Sequence, residues 1–486
     1  MNNFELAKEY FLDGCSFLEA EDFSRAEHNF RKSLELLPDR ASTLTNLSAA
    51  QLKLRKYSEA RATAQKAISV ESNNSEAYLN LGLIEIELKN FDTAIKFLDK
   101  VLSLKPDHPQ GWYNKGNMLH ELKRYDEAIA NYDKALALKP DFLEAWSNKG
   151  LSLSELKRYD EAIAHYDKAI DFDASYFDAY WYKSIAQLAI GDFIDGWKNY
   201  EYRWKKKDAE FYKHSSIPLL QNVNDIFQKK ILVWCDQYYG DSIQFSRYVN
   251  ILTSMGAKVV FEVKNPLKEI FRNSFQSSLI ISPNDLIPKV DYQISTSSLP
   301  LLFRTTVHDI PKSSAYLKSS SQVSRDWKNF LNLNGNKLNI ALACSGNTLH
   351  YKNDNRPIKL KLFEPLLDIA NIFLVQKEIE ETDSDFFDVH PEIRFIGNEI
   401  QTFNDTAAII EKMDLTISID TSVAHLSGAL GKTTWLLISW ASDWRWFLDR
   451  EDSPWYPSMK IYRQPVIGDW RSVLDRVKLD LISTFS

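Results

Sequence analysis

The stretch PDHPQGWYNKGNMLHELKRYDEAIANYDKALALK, residues 106–139, is followed directly by PDFLEAWSNKGLSLSELKRYDEAIAHYDKAIDFD, residues 140–173. The two align without a gap, so the chain repeats itself every 34 residues. The residues in step include Trp112/Trp146, Gly116/Gly150, Tyr125/Tyr159, Ala128/Ala162 and Tyr132/Tyr166. Self-similarity at such a fixed period predicts stacked copies of one supersecondary unit.

Further copies lie on both sides of this pair. One period upstream are Tyr78, Gly82, Phe91 and Ala94, and the first copy has Tyr10, Gly14, Phe23, Ala26 and Phe30. A weaker copy starts near Pro38, and a sixth begins near Tyr176 and degrades. The pattern resembles the tetratricopeptide repeat, which implies two antiparallel helices per copy and a superhelix with a concave groove. We expect residues 1–204 to form an α-solenoid of five repeats and a degenerate sixth.

One polar column recurs with the same period: Asn46, Asn80, Asn114 and Asn148. Asn is a poor helix former, because its side chain competes for backbone hydrogen bonds. The recurrence suggests a use for an exposed amide, which offers both a donor and an acceptor to an extended peptide. The column resembles the asparagine ladder of O-linked N-acetylglucosamine transferase. The alternative is that Asn is merely common at this repeat position.

The second half of the chain changes character. Residues 205–228 carry no repeat and are expected to be a connector, and from residue 229 short apolar runs alternate with helical patterns. Such alternation predicts parallel sheets. We place one α/β lobe at residues 229–330 and a second at residues 331–486, with ligands near the C-terminal ends of the strands. This arrangement is that of the glycosyltransferase-B architecture, although a two-domain kinase or epimerase has a similar pattern.

The first lobe opens with ILVWCDQYYGDSIQFSRYV, residues 231–249, in which a strand is followed by a turn at Gly240 and then a helix. Asp241 has two interpretations. It is either a cap of the helix N-terminus or a general base that takes a proton from an acceptor hydroxyl.

Two motifs of the second lobe are candidates for binding a diphosphate. In the loop LACSGNTLHYKNDNRPIKL, the backbone amides of Ser345, Gly346 and Asn347 are suited to an anion, and Arg356 supplies a fixed positive charge unless it is simply solvated.

The second motif is DLTISIDTSVAHLSGALGK, residues 414–432, in which Asp420 and Thr421 end a strand. His425 follows one helical turn after Thr421, so both lie on one face of the helix. The alternative for His425 is a satisfied interior histidine.

These motifs resemble the ADP-heptose lipopolysaccharide heptosyltransferase family, over about residues 229–486. The resemblance implies two Rossmann-like lobes, a nucleotide-diphosphate sugar donor, no cofactor or metal, and inversion at the anomeric carbon. It implies that Asp241, next to Gly240, is the catalytic base. It further implies that the donor is bound by Gly240, Ser345, Gly346, Asn347, Arg356, Gln376, Asp420, Thr421 and His425.

The resemblance is closest to a bacterial subgroup that fuses tetratricopeptide repeats to this domain and includes candidate flagellin glycosyltransferases. The segment SWASDWRWFLDREDSPWYPSMKIYRQP, residues 439–465, resembles that subgroup and departs from the lipopolysaccharide enzymes. Its four Trp residues and its Arg445, Arg450 and Arg463 form either a platform for a base or sugar ring or a densely packed crossover between the lobes.

Composition narrows the remaining choices. The formal net charge of −7 and the lack of a basic stripe argue against nucleic-acid binding. No apolar run is long enough to span a membrane, and the N-terminal residues do not resemble a signal peptide. The three widely spaced cysteines indicate reduced thiols. We therefore expect a cytoplasmic protein. The sequence Asp383–Asp385 has the Asp-x-Asp form but lies in an acidic run, so no metal site is expected.

The expected function is a nucleotide-sugar-dependent glycosyltransferase whose repeats hold a protein acceptor, with flagellin as one candidate. Two alternatives remain. One is a transferase that acts on lipopolysaccharide or another surface glycan, and the other is a non-catalytic repeat scaffold with a vestigial transferase domain.

Overall fold

The chain folds into two compact units, Met1–Lys183 and Ser184–Ser486. The computed structural model describes residues 2–206, 213–312, 315–333, 337–346 and 357–485. Within these residues, no helix combines the length and the apolar character that crossing a bilayer requires.

The first unit is a solenoid of helical hairpins, as the 34-residue period predicts. Each hairpin pairs an odd-numbered helix with the next helix along the chain. The helices are α1 (Asn3–Glu19), α2 (Phe23–Leu36), α3 (Ala41–Lys53), α4 (Tyr57–Val70), α5 (Ser75–Glu87), α6 (Phe91–Leu104), α7 (Pro109–Glu121), α8 (Tyr125–Leu138), α9 (Leu143–Glu155), α10 (Tyr159–Phe172) and the start of α11 (Phe177–Ile190).

The turn inside each hairpin has the same backbone conformation. Its central residue lies in the left-handed region and recurs every 34 residues at Glu21, Arg55, Lys89, Lys123, Lys157 and Gly191. At Lys89 the turn is a Schellman motif, since the Lys89 amide donates to the Ile86 carbonyl and the Asn90 amide to the Glu85 carbonyl. The recurrence includes the weak second copy and the degenerate sixth, so both share the hairpin geometry despite their divergent sequences.

Glycine on the first helix of a repeat makes room for a ring on the second helix. A Cβ at Gly116 would lie 2.6 Å from a ring carbon of Tyr132, and a Cβ at Gly150 would lie 2.5 Å from Tyr166. Both rings are almost completely buried. The small residue therefore sets the distance between the paired helices.

The second unit contains two parallel sheets, which is consistent with the predicted α/β class. Its strands are β1 (Lys230–Trp234), β2 (Lys258–Glu262), β3 (Leu279–Ile281), β4 (Tyr292–Ser295), β5 (Leu338–Ala343), β6 (Ala370–Leu374), β7 (Ile393–Phe395), β8 (Leu415–Ile419), β9 (Thr434–Ile438) and β10 (Met459–Arg463). Its helices after α11 are α12 (Phe193–Tyr200), α13 (Tyr239–Phe245), α14 (Arg247–Ser254), α15 (Lys268–Ser274), α16 (Leu299–Leu302), α17 (Ser321–Leu331), α18 (Ser384–Asp388), α19 (Phe403–Ile410), α20 (Ser422–Ala429) and α21 (Trp470–Phe485).

The strand order shows where successive strands begin to be added on the opposite side of a sheet. The first sheet has the order β3-β2-β1-β4, and the second has the order β10-β9-β8-β5-β6-β7. If β5 is numbered 1 and the later strands follow in chain order, the second sheet reads 3-2-1-4-5-6 from β7 to β10. This is the doubly wound order. Its switch point lies between β5 and β8, where ligands of such sheets bind.

The second unit begins before residue 204, where the sequence analysis ended the repeats. Helix α12 already belongs to the α/β core, because the Trp197 indole donates to the Thr305 carbonyl over 3.1 Å and Phe193 packs on Phe447. Arg203 donates to the Ser298 hydroxyl over 2.7 Å and pairs with Asp236. The last hairpin thus keeps the repeat turn while its side chains pack into the sheet domain.

The predicted connector, residues 205–228, is also partly integrated into the second unit. The Leu220 amide donates to the Gln293 carbonyl, and the Gln293 amide donates to the Pro218 carbonyl, each over 2.9 Å. These bonds add a short extended segment beside β4. Hydrogen bonding to a sheet edge fixes this part of the connector, which hydropathy alone did not indicate.

The glycine contacts predict opposite effects of two matched substitutions. Gly150→Ala should lower the free energy of unfolding by about 1–2 kcal/mol, because overpacking against Tyr166 outweighs the better helix propensity of alanine. Gly82→Ala is the control: its Cβ would lie 3.4 Å from Leu98, an ordinary contact, so stability should stay or rise by up to about 1 kcal/mol. Urea denaturation of the full chain measures both, and equal effects would contradict this account of the helix spacing.

Candidate active site

The loops that follow β5 and β8 meet at the switch point of the second sheet. These strands are neighbours, with Ala343 opposite Ser418. A Cβ at Gly346 would lie 3.2 Å from the methyl group of Thr421, so the two loops are in close contact. The structure therefore brings Ser345 and Gly346 together with Asp420 and Thr421, which lie 74 or more positions further along the chain (420 − 346 = 74).

Helix α20 begins immediately after β8 and holds His425. Thr421 is its N-cap and accepts a hydrogen bond from the Val423 amide over 3.3 Å. His425 is buried; its Nδ1 shares a hydrogen bond of 2.8 Å with the Tyr456 hydroxyl, and its Nε2 lies 3.9 Å from Asp420 Oδ1. The ring of Trp446 packs on the imidazole, with centroids 5.3 Å apart. His425 is thus an interior histidine whose second nitrogen lies on the Asp420 side.

Helix α13 of the first lobe packs on α20 through Gly240. A Cβ at this position would lie 2.8 Å from His425 Cδ2, which leaves no room for a larger residue without movement. Asp241 is the next residue, and its Oδ2 accepts a hydrogen bond of 3.0 Å from the Tyr238 amide. The capping interpretation of Asp241 is therefore present in the structure, and the same residue lies next to the contact between the lobes.

Arg445 belongs to the segment interpreted above as a platform or a packed crossover, and its pairing with Asp241 was not predicted. Its guanidinium donates to Asp241 Oδ1, to Asp443 Oδ1 over 2.7 Å and to Gln244 Oε1 over 2.6 Å. Arg445 and Asp241 are 204 positions apart (445 − 241 = 204), so no local pattern could have joined them. The interaction ties the first lobe to the segment after β9.

Burial and charge act in opposite directions on these groups. Burial raises the pKa of Asp241, Arg445 opposes this rise, and Asp443 adds to it. For Arg445, burial alone would lower the pKa, but Asp443 and Asp241 outweigh burial and hold the pKa above its ordinary value. Arg445 is therefore a permanent cation, and Asp241 is a carboxyl group with increased proton affinity.

The tryptophan-rich segment forms packed core. Trp444, Trp446 and Trp455 are each no more than 2% exposed, and Phe193 of α12 stacks on Trp455 with centroids 6.2 Å apart. Of the two sequence interpretations, the densely packed crossover describes these three side chains. An aromatic platform would require exposed ring faces.

Gln376 braces the loop after β5. Its side-chain oxygen accepts hydrogen bonds from the amides of Cys344, over 2.9 Å, and Ser345, over 3.2 Å, and its nitrogen donates to the Glu378 carbonyl. The Ser345 amide, expected to face a phosphate, is therefore directed at Gln376. A buried amide needs a partner within the protein, which the sequence analysis did not consider.

The remaining predicted donor-binding residues, Asn347 and Arg356, lie outside the described residues. Asp383 of the Asp-x-Asp sequence is buried and accepts a hydrogen bond of 3.1 Å from the Leu360 amide. Among the described residues, no group of three or more His, Cys, Asp or Glu side chains is arranged to hold a metal ion.

The asparagine column joins neighbouring repeats. The amide nitrogen of Asn80 donates to the Thr45 carbonyl over 2.9 Å, and that of Asn148 donates to the Tyr113 hydroxyl over 3.0 Å. Asn46 contacts Cys15 in the same way, while Asn114 accepts from Gln110 within its own helix over 3.0 Å. Asn80 and Asn114 are buried, so the premise of exposed amides does not describe them.

The bracing role of Gln376 predicts a loss of stability that needs no ligand. Gln376→Met keeps the volume but leaves two buried amides without an acceptor, so the free energy of unfolding should fall by about 1–3 kcal/mol. Gln376→Glu retains an acceptor and should lose less. Thermal and urea denaturation measure both variants, and an unchanged Gln376→Met protein would exclude the bracing role.

Comparisons with known proteins identify the repeats. A tetratricopeptide repeat family model matches residues 109–142 and 143–176, and a second such model matches residues 11–68 and 45–109. Protein FlbA of Caulobacter vibrioides (strain ATCC 19089 / CIP 103742 / CB 15) is 22% identical over 326 residues, which cover 61% of this chain and 53% of FlbA. The chain thus spans about half the length of this curated relative.

Two solved structures have partial similarity to this chain. MamA is 24% identical with a TM-score of 0.32 and covers 35% of this chain and 93% of its own. YrrB, described as a TPR protein with an unusual peptide-binding site, is 21% identical with a TM-score of 0.31 and covers 35% and 88%. The N-terminal part of the chain, residues 11–176, is an array of tetratricopeptide repeats.

Proposed function

We propose that the second unit is a nucleotide-sugar-dependent glycosyltransferase of the B fold and that the repeats bind its protein acceptor. The observation that carries the proposal is the contact of α13 with α20. It brings Asp241, a buried carboxyl group with raised proton affinity, beside the helix that follows the switch point of a doubly wound sheet. A general base and a nucleotide site at adjoining helix ends are the parts that glycosyl transfer requires.

The donor would bind where the β5 and β8 loops meet. Gly346 and Thr421 are in contact there, and the N-terminal amides of α20 suit a diphosphate, because a helix N-terminus carries partial positive charge. Asp420 is the adjacent carboxylate and is suited to accept hydrogen bonds from sugar hydroxyls. No step in this scheme needs a metal ion.

The transfer step would use Asp241 as the proton acceptor. The acceptor hydroxyl attacks the anomeric carbon, the bond from that carbon to the diphosphate oxygen breaks, and the hydroxyl proton passes to Asp241. The nucleoside diphosphate leaves with the bonding electrons. Its negative charge would be stabilised by the N-terminus of α20.

A donor screen with one variant tests this scheme. A nucleotide sugar that binds the folded protein should raise its melting temperature in a concentration-dependent way. Asp241→Asn should retain that shift but lose transfer by about a hundredfold or more, because general-base catalysis contributes about 10²–10⁴-fold. Full transfer by Asp241→Asn would remove the base assignment, and the lack of a shift with any nucleotide sugar would remove the donor site.

The transfer should also have a recognisable pH dependence. Burial raises the pKa of Asp241, and only the ionised carboxylate accepts a proton, so kcat/KM should fall as pH decreases through that raised pKa. Measuring kcat/KM between pH 4 and 9 with the donor found by the screen would show this acidic limb. Asp241→Asn is the matched control, and its residual rate should lack the limb.

The acceptor is assigned from the repeat array, since tetratricopeptide repeats form a concave surface suited to an extended peptide. With labelled donor and a bacterial extract, product should appear in the protease-sensitive fraction and should be lost in Asp241→Asn. Label in protease-resistant glycolipid alone would instead favour a surface glycan as the acceptor.

One observation favours a second candidate, a scaffold without transfer. Two polar groups of the candidate site are satisfied internally, since Asp241 is paired with Arg445 and the Ser345 amide is bonded to Gln376. A scaffold of this kind predicts that neither wild type nor Asp241→Asn transfers sugar, although partner proteins still bind the repeats.

A further inference from the structure

We propose that Arg445 is a positioning residue that holds the Asp241 carboxylate ionised and in one orientation. The inference rests on the proposed function for its effect on transfer. The interaction itself is a property of the structure and is testable without any substrate.

Each carboxylate oxygen of Asp241 accepts a hydrogen bond from a different lobe. Oδ2 accepts from the Tyr238 amide of the first lobe over 3.0 Å, and Oδ1 accepts from Arg445 of the second lobe. A carboxylate with one fixed donor on each oxygen has little freedom to rotate. The plane in which Asp241 meets an acceptor hydroxyl is therefore set by Arg445 as much as by its own helix.

The guanidinium is itself fixed on every side. Its Nε donates to Gln244 over 2.6 Å, its Nη1 donates to Asp443 over 2.7 Å, and its carbon lies 4.4 Å from the ring centroid of Trp444. Gln244 is fully buried, and within the described residues its amide nitrogen has no hydrogen-bond partner. Burial of an unpartnered polar group is unfavourable. Gln244 therefore accepts the hydrogen bond from Arg445 through its oxygen, although this orientation leaves its amide nitrogen without a partner among the described residues.

The turn that presents Arg445 is strained. Phe447 has φ of 53° and ψ of −162°, a region that a non-glycine residue rarely adopts. Arg463 holds this turn by donating to the Trp446 carbonyl over 2.9 Å and to the Phe447 carbonyl over 2.8 Å. Strained backbone persists only where the surroundings enforce it, and this turn places Arg445 on Asp241.

The charges near Asp241 determine the direction in which each substitution should shift its pKa. Burial raises the pKa of its carboxyl group, Arg445 lowers it, and Asp443 and Asp236 raise it. The other titratable groups around this cluster are Tyr200, which interacts with Asp241, Asp420, which interacts with Arg445, and His425 on α20, which packs against Gly240. Removing Arg445 should raise the pKa of Asp241, and removing the charge of Asp443 should lower it.

The first experiment follows the titration of Asp241 through stability. An acid whose folded-state pKa is raised loses stability as pH increases through that pKa, because the folded state holds its proton more tightly than the unfolded state. The melting temperature of wild type relative to Asp241→Asn should therefore fall across this pH window. When both proteins also carry Arg445→Gln, the same difference in melting temperature should fall at a pH that is higher by about one unit or more. An unchanged window would overturn the proposal.

The second experiment separates positioning from a merely structural role. With the donor identified by the screen, Arg445→Gln should shift the acidic limb of kcat/KM to higher pH, so that its deficit is about tenfold on the acidic side of the limb and shrinks as pH increases above it. Asp443→Asn should shift the limb to lower pH, and Arg445→Lys should restore its position. A loss of rate that is equal at every pH would show that Arg445 only supports the fold.

The two experiments also distinguish failure of this inference from failure of the proposed function. If no donor is found but the stability window moves with Arg445→Gln, the charge coupling stands and glycosyl transfer falls. If transfer is observed but neither the window nor the limb moves, the function stands and Arg445 has no control over Asp241. If Arg445→Gln does not fold, Asp443→Asn provides the test, because loss of that charge should move the stability window to lower pH, and an unchanged window would overturn the proposal.

Discussion

The close approach of α13 to α20 at Gly240 is the contact on which the candidate site depends. Only a residue without a side chain leaves space for the His425 ring, and this space lets the first-lobe helix rest directly on the helix that follows β8. Asp241 lies beside this contact because it is the next residue. If the helices were held further apart, Arg445 would no longer reach this carboxylate, whereas the Tyr238 cap is local to α13 and would remain.

In the second unit, three polar side chains each hold a group of the candidate site through hydrogen bonds or an ion pair. Gln376 holds the loop after β5, Tyr456 holds His425, and Arg445 holds Asp241. Each of these bonds orients a group that the sequence assigns to donor binding or catalysis. Such commitment is consistent with preorganisation, in which groups are fixed before the substrate arrives and need little rearrangement during reaction. The same internal bonding is also the observation that favours the scaffold alternative.

Within the repeats, the asparagine column shows how one residue type serves different partners. Asn80 and Asn148 use the amide nitrogen to reach the preceding repeat, whereas Asn114 accepts within its own helix. Because a solenoid has only neighbouring contacts, bonds of this kind set how consecutive repeats are joined. The amide nitrogens of Asn80 and Asn148 therefore each use at least one N–H for a contact between repeats.

How much of the fold the sequence predicts differs between the two halves. The repeats were predictable because each copy has the same local contacts, so a 34-residue period reports the hairpin directly, down to the left-handed turn residue. The parallel sheets were predictable from the alternation of apolar runs and helices. The end of the repeats was not, since α12 follows the repeat turn but belongs to the second unit, where its Trp197 and Phe193 are packed.

The sequence by itself determined the helical repeats, the α/β class of the second half and the residues at the strand ends, because each depends on spacing along the chain. Only the tertiary structure decided which of these residues meet. The pairing of Arg445 with Asp241, the use of the Ser345 amide by Gln376 and the burial of the tryptophans join positions far apart in sequence. Hydrogen bonds and ion pairs act over a few ångströms in space, and a linear pattern carries no record of that distance.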